Sequence, residues 1–246
     1  STEKESTEKE STDAEETDRE KLTIAADRPG ASNGTSITPT GHVQFETGFS
    51  ASFDELGSSY DLGNTLFRTG IVDFAEARVA VTPVSISSPE GGETDVQGLS
   101  SLTVGGKVGT ELGDDAAIAL RPYVTADALL DDDIWSGGAD AIFDLGTSQD
   151  VSLTGNVGIA SVGRGGGDRA VEAFLAMSAG ASFSDEAGAY LEIYSFFPSD
   201  DQTDVFIDLG ATYLVTNRLQ LDAFFGFNPI DGAEGQFAGL GVSLLL

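Results

Sequence analysis

A chain of 246 residues without cysteine has room for one all-β domain or two small ones, and it cannot build a disulfide framework, a thiolate metal site or a lipid-anchoring cysteine. Its formal charge of −29 excludes nucleic acid as a partner, because phosphate binding needs a basic surface, and it suits a high-salt habitat that screens self-repulsion. No apolar run approaches the roughly 18 residues that a membrane helix requires.

Residues 1–20 read STEKE STEKE STDAE ETDRE, a five-residue period without an aromatic or branched aliphatic side chain. Such a segment buries too little surface to offset its ordering entropy, so residues 1–30 are expected to be a disordered acidic tail and residues 31–246 the folded domain. Ser1 opens this polar tract, as the mature product of a secreted precursor would, and as a cytosolic protein would equally.

From Gly41 onward apolar and polar residues alternate. Residues 42–53 set Val43, Phe45, Phe49, Ala51 and Phe53 against Gln44, Glu46, Ser50 and Ser52. The same period of two recurs at 76–84, 117–128, 135–145, 171–183, 189–197, 205–215 and 219–227. Weaker versions lie near 64–71, 101–110, 151–161 and 236–246. Period-two alternation means strands with unlike faces, about twelve of them, each close to the 9–11 residues that a tilted strand needs to cross a bilayer.

The connections choose the environment. Short links at 72–75, 111–115, 146–150, 184–188 and 216–217 alternate with longer ones at 54–62, 85–98, 129–134, 163–169, 198–203 and 229–235, many of them acidic. Short turns at one end and long loops at the other are the mark of an outer-membrane barrel. Mid-strand charges such as Arg121, Glu192 and Asp222 suit a watery lumen and not a dry core. The expected fold is therefore all-β: a transmembrane antiparallel up-and-down β-barrel of about twelve strands, apolar side chains facing lipid. An even strand count puts the N-terminal tail and the C-terminus together on the periplasmic side of a bacterial outer membrane. Tyr60, Phe74, Trp135, Phe197, Tyr213 and Phe227 lie near strand ends, where aromatic girdles sit.

Several segments carry a resemblance: DRPG at 27–30, GHVQFETGFS at 41–50, LFRTGIVDFAEARV at 66–79, LSSLTVGGKVG at 99–109, and GATYLVTNRLQLDAFFGFNP with FAGLGVSL across 210–244. They resemble the outer-membrane transporter family described as "putative MetA-pathway of phenol degradation". The resemblance implies a barrel with a transport-like role and does not establish phenol chemistry. Leu246 stands where the family usually ends on an aromatic residue.

By parity the lumen face collects Glu46, Arg68, Glu76, Arg78, Lys107, Arg121, Tyr123, Asp127, Asp140, Asp144, Glu172, Tyr190, Glu192, Asp208 and Asp222. These groups either line a water path or neutralise one another across a plugged bore. The first reading is a narrow channel or transporter for small solutes, cation-preferring because acids outnumber bases. The second is a structural or surface barrel whose acidic loops meet ions, lipopolysaccharide or another protein. No enzyme is expected, since any Ser-His-Asp or histidine-metal site must use His42, the sole histidine, which starts the first strand. No cofactor is implied. VGRGGGDR at 162–169 lacks the Lys-Ser/Thr ending of a phosphate loop. Asp131–Asp133 and DGAEG at 231–235 are candidates for divalent cations but lack the twelve-residue calcium-loop spacing. The expected partners are outer-membrane lipid and lipopolysaccharide, a small solute, and divalent cations at the acidic loops.

Overall fold

In a computed structural model the chain closes into an antiparallel barrel in which β1 pairs with both β2 and β12. The structure describes residues 22–127, 135–146, 150–164, 168–230 and 235–246. The expected sites at Asp131–Asp133 and within 231–234, and the repetitive leader to residue 21, lie outside these. In order the strands are β1 (Val43–Asp54), β2 (Gly57–Val72), β3 (Ala75–Pro89), β4 (Asp95–Glu111), β5 (Ala116–Asp127), β6 (Trp135–Gly146), β7 (Val151–Gly163), β8 (Arg169–Ser182), β9 (Ala187–Pro198), β10 (Asp204–Thr216), β11 (Leu219–Phe227) and β12 (Gln236–Leu245). Every strand pairs with its sequence neighbours, so no backbone edge is left for lipid to meet.

The orientation follows from exposure. Leu221 and Phe225 are 46% and 44% exposed, while Asp222 between them is 6% exposed. The same alternation turns Leu120, Val124, Phe143, Leu175, Leu191 and Leu209 outward on successive strands. A polar lumen and an apolar outer band are what a bilayer demands, since lipid offers charged groups neither water nor partners. Phe74 and Tyr213 are exposed outward near the end with the tight turns (the turn end), and Trp135 and Phe197 near the opposite, loop end.

The connections at 54–62 and 85–98 differ from expectation. β2, β3 and β4 run for 16, 15 and 17 residues, which leaves only 55–56 and 90–94 as connections. Tyr60, Leu62, Ile86 and Val96 keep a sparse alternation there, but the Ser, Gly, Pro and acidic residues around them are those of loops and hide the extensions. Cross-strand pairs such as Ser58↔Ser88 and Asp61↔Ser85 build them instead, with Ser85 Oγ donating to Asp61 at 2.5 Å. About five residues of each strand exceed what a bilayer needs. Pro83, which has no N–H for a ladder, sits at a register shift between Thr82 and Val84.

The part of the expected tail nearest the barrel is not a tail. Residues 22–41 pass through the lumen as an irregular segment. It enters at the turn end, where Ile24 N–H donates to Asn217 O at 2.7 Å. It leaves at the same end, where Thr40 bridges Gly70. A side chain at Gly70 would overlap the carbonyls of Thr38 and Pro39, so glycine permits the close passage.

Candidate functional site

The turn half of the lumen is a charged chamber built by parity. Glu46 on β1, Arg68 on β2, Glu76 and Arg78 on β3, and Lys107 on β4 point inward on adjacent strands, each 0–5% exposed. The register sets Arg68 directly opposite Arg78, a repulsive pair by itself. Carboxylates separate them. Glu76 accepts from Arg68 Nε at 2.9 Å and from Arg78 at 2.8 Å, and Glu46 accepts from Arg68 at 3.2 Å. These wall groups leave one base in excess, and the lumen segment supplies the missing acid. Asp27 reaches Arg78 at 2.5 Å, Lys107 at 3.3 Å and Arg68 at 3.6 Å.

Wall carboxylates also hold the backbone of the segment. Glu46 accepts from the N–H groups of Asp27 and Arg28, both at 3.1 Å. Glu192 accepts from Ala31 N–H at 2.6 Å, from Ser32 N–H at 2.9 Å and from the Ser32 hydroxyl. Asp144 accepts from Thr35 N–H and Oγ1, each at 2.7 Å, and Glu76 from Thr38 N–H at 2.7 Å. Asn156 pairs with the Asn33 backbone in both directions, at 2.9 and 3.0 Å. Wall cations answer the carbonyls: Arg68 donates to Ala25 O and Ser36 O, and Lys107 to Gly34 O, all at 2.8 Å. Buried backbone groups must find partners, and here charged side chains provide them.

Farther round the barrel, Arg121 pairs with Asp140 and lies 5.1 Å above the Tyr123 ring. Tyr190 donates to Asp208 at 3.4 Å, and Arg28 reaches Asp222 at 3.3 Å. Glu172 is half-buried near Arg121, facing a shared cavity. Asp127 closes β5, and its side chain lies outside those described. The expected lumen residues thus fall into a core that the segment ties together and an outlying set, Arg121, Tyr123, Asp140 and Glu172, that it barely touches.

Parity ranked by charge missed the aromatic lining of the loop half. Phe174, Tyr194, Phe196, Phe206, Phe224 and Phe237 form a run of ring contacts with centroids 5.0–6.5 Å apart. The signal was available: Phe206 stands two residues before Asp208, and Phe224 two after Asp222. Asp27 and Arg28 were marked only by the DRPG segment of the family resemblance, and nothing pointed to Asn33, since all three act from an irregular segment.

Cavities remain beside the segment, among them three next to the charged lumen residues. One of about 210 Å³ lies against Arg78, Arg121 and Tyr123. A second of about 280 Å³ is lined by Ser152, Thr154, Ser178, Ser182, Tyr190 and Thr212. Asp27, Arg28 and Gly30 border both, so the segment stands between them. A third, of about 160 Å³, shares Arg121 and Tyr123 with the first. His42 is half-buried at the rim, with Nδ1 3.2 Å from Thr40 O. Among the described residues no group of three or more His, Cys, Asp or Glu is placed to hold a metal.

The family model described as "Putative MetA-pathway of phenol degradation" matches residues 26–246, which takes in the lumen segment together with the barrel. The COG4313 outer membrane channel from Pseudomonas putida F1 is similar in structure, with a TM-score of 0.64 at 13% identity over 89% of this chain and 99% of that one. The NanC and KdgM porins give TM-scores of 0.61 and 0.60 at 8% identity, each over 81% of this chain and 98% of theirs. At such identities the likeness is one of fold. No curated protein matches the sequence.

Proposed function

We propose that this chain, which belongs to the "Putative MetA-pathway of phenol degradation" family, is a narrow outer-membrane channel for small solutes whose constriction is its own segment 22–41. The observation that carries the reading is the character of the interior. It is a charged, hydrogen-bonding chamber with cavities on both faces of a polar segment, whereas a merely structural barrel can fill its bore with apolar side chains. The fifteen lumen residues named from parity are its pore lining. Acids outnumber bases on that lining, and the segment carries one of each, so small cations are favoured over anions. Both chain ends face the periplasm, and the acidic loop end meets divalent cations and lipopolysaccharide. The channel does no covalent chemistry. His42, isolated at the rim, can become Ala without loss of transport.

Conductance in planar bilayers under a salt gradient tests this. A reversal potential favouring K⁺ over Cl⁻ is expected, and an anion-selective pore would refute the cation preference. The second reading, a surface barrel with a closed bore, is favoured by how completely wall side chains bond the segment's backbone. Absence of conductance from folded protein would select it.

A further inference from the structure

Charge inside the barrel is divided across the bore. Every described lumen-facing cation of the wall, Arg68, Arg78, Lys107 and Arg121, stands on β2–β5, whereas Arg169 of β8 is exposed over the Trp135 ring. The described lumen face from β6 to β11 carries carboxylates alone, among them Asp144, Glu192, Asp208 and Asp222. The field therefore runs from wall to wall and not along the axis.

The segment fits this field with two consecutive residues. Asp27 turns to the basic wall and meets Arg68, Arg78 and Lys107. Arg28 turns to the acidic wall and meets Asp222. Glycines clear the way for Arg28, since a methyl group on Gly48 or Gly241 would overlap its guanidinium. Hydrogen-bonding capacity is left over on both sides. Arg121 Nε has no partner beside the basic wall, and neither Asp208 Oδ1 nor Asp222 Oδ2 has one on the acidic wall, although all are buried. A buried polar atom without a partner costs about 1–3 kcal/mol, so a group that supplied one would be held there.

We propose that the bore selects small zwitterions, solutes with one carboxylate and one ammonium group a few bonds apart, and that Asp27 and Arg28 occupy the place such a solute takes. This rests on the channel reading and names its solute class. A simple ion of either sign meets one attractive wall and one repulsive wall. A zwitterion crossing the bore meets two attractive walls and adds no net charge, which discriminates it from both.

The test is tracer influx into liposomes holding the full chain, with γ-aminobutyrate, choline, isethionate and erythritol as zwitterionic, cationic, anionic and neutral solutes of similar size. γ-Aminobutyrate should enter at least threefold faster than each of the others. The double variant Asp208→Asn/Asp222→Asn should bring that ratio close to one in folded protein. Asp27→Gly/Arg28→Gly, which vacates the place, should raise γ-aminobutyrate influx several-fold. Heat-modifiable migration establishes folding, and if the acidic-wall variant does not fold, the Asp27/Arg28 variant decides alone. Rates that rank by net charge, with choline first, would overturn the proposal, as would influx indifferent to either variant. KCl conductance without a zwitterion preference sinks this inference only, whereas folded protein passing neither salt nor any solute sinks the channel reading with it.

Discussion

The two halves of the lumen solve one problem in opposite ways. Both are enclosed by strands whose inward face is spelled by every second residue, and both must fill space that water would otherwise occupy. The turn half does so with ions: Glu46, Arg68, Glu76 and Lys107 are almost fully buried, yet each has partners. The loop half does so with rings, laid over glycines. The Phe237 ring covers Gly226, and the Phe224 ring covers Gly239, at positions where any Cβ would collide with them. Charges near the turn end are tolerable because a second stretch of chain brings complementary groups to them. Where that stretch barely reaches, Arg121 and Asp140 pair with each other and the wall from β8 to β12 turns aromatic.

Arg68→Ala should break the contrast most severely. It leaves Glu46, Glu76 and Asp27 buried with one cation fewer, at a cost of about 3–5 kcal/mol. Urea unfolding in detergent micelles measures this, and a stability equal to wild type would show that water already reaches the cluster. Phe237→Ala tests the loop half. Removing a half-buried ring should cost about 2 kcal/mol, less than a fully buried ring would, and should raise single-channel conductance by opening the loop end. An unchanged conductance would place the constriction wholly at the segment.

Gly241→Ala sharpens the boundary between the halves by pushing Arg28 off Asp222. About 1 kcal/mol of stability should be lost, within the usual range for overpacking, with more frequent opening events in bilayer recordings. The smallest effect belongs to the loop-end ion pair of Arg164 and Asp200, bidentate at 3.1 Å. The Arg164 hydrogen bond holds the Asp200 carboxyl below its ordinary value, and the same bond raises the Arg164 guanidinium. A depressed carboxyl stabilises the fold above its unfolded value, near pH 4, and that contribution fades as pH falls further. Both partners are exposed, so Asp200→Asn should leave neutral-pH melting unchanged and only flatten the acid limb slightly.

Much of the lumen was legible because a strand has a fixed period. Once β11 is read as a strand, Asp222 and Gln220 must share a face opposite to Leu221, whatever surrounds them. Arg68, Glu76 and Asp208 follow in the same way. The aromatic residues were equally legible but were passed over because charge, not parity, ranked the candidates. The strand extensions at 57–62 and 85–89 were hidden, since Ser, Gly, Pro and Asp outnumber the few apolar residues, Tyr60, Leu62 and Ile86, that mark one face.

The sequence by itself determined a closed sheet, the number of its strands and the face each side chain takes, since all three depend on local periodicity and on the lack of water within lipid. Only the tertiary structure decided that Leu22–Gly41 returns into the bore and that Arg68 and Arg78 share Asp27. An irregular segment has no period to read. Its path is chosen by charges that residues far along the chain bring together only when β1 closes on β12.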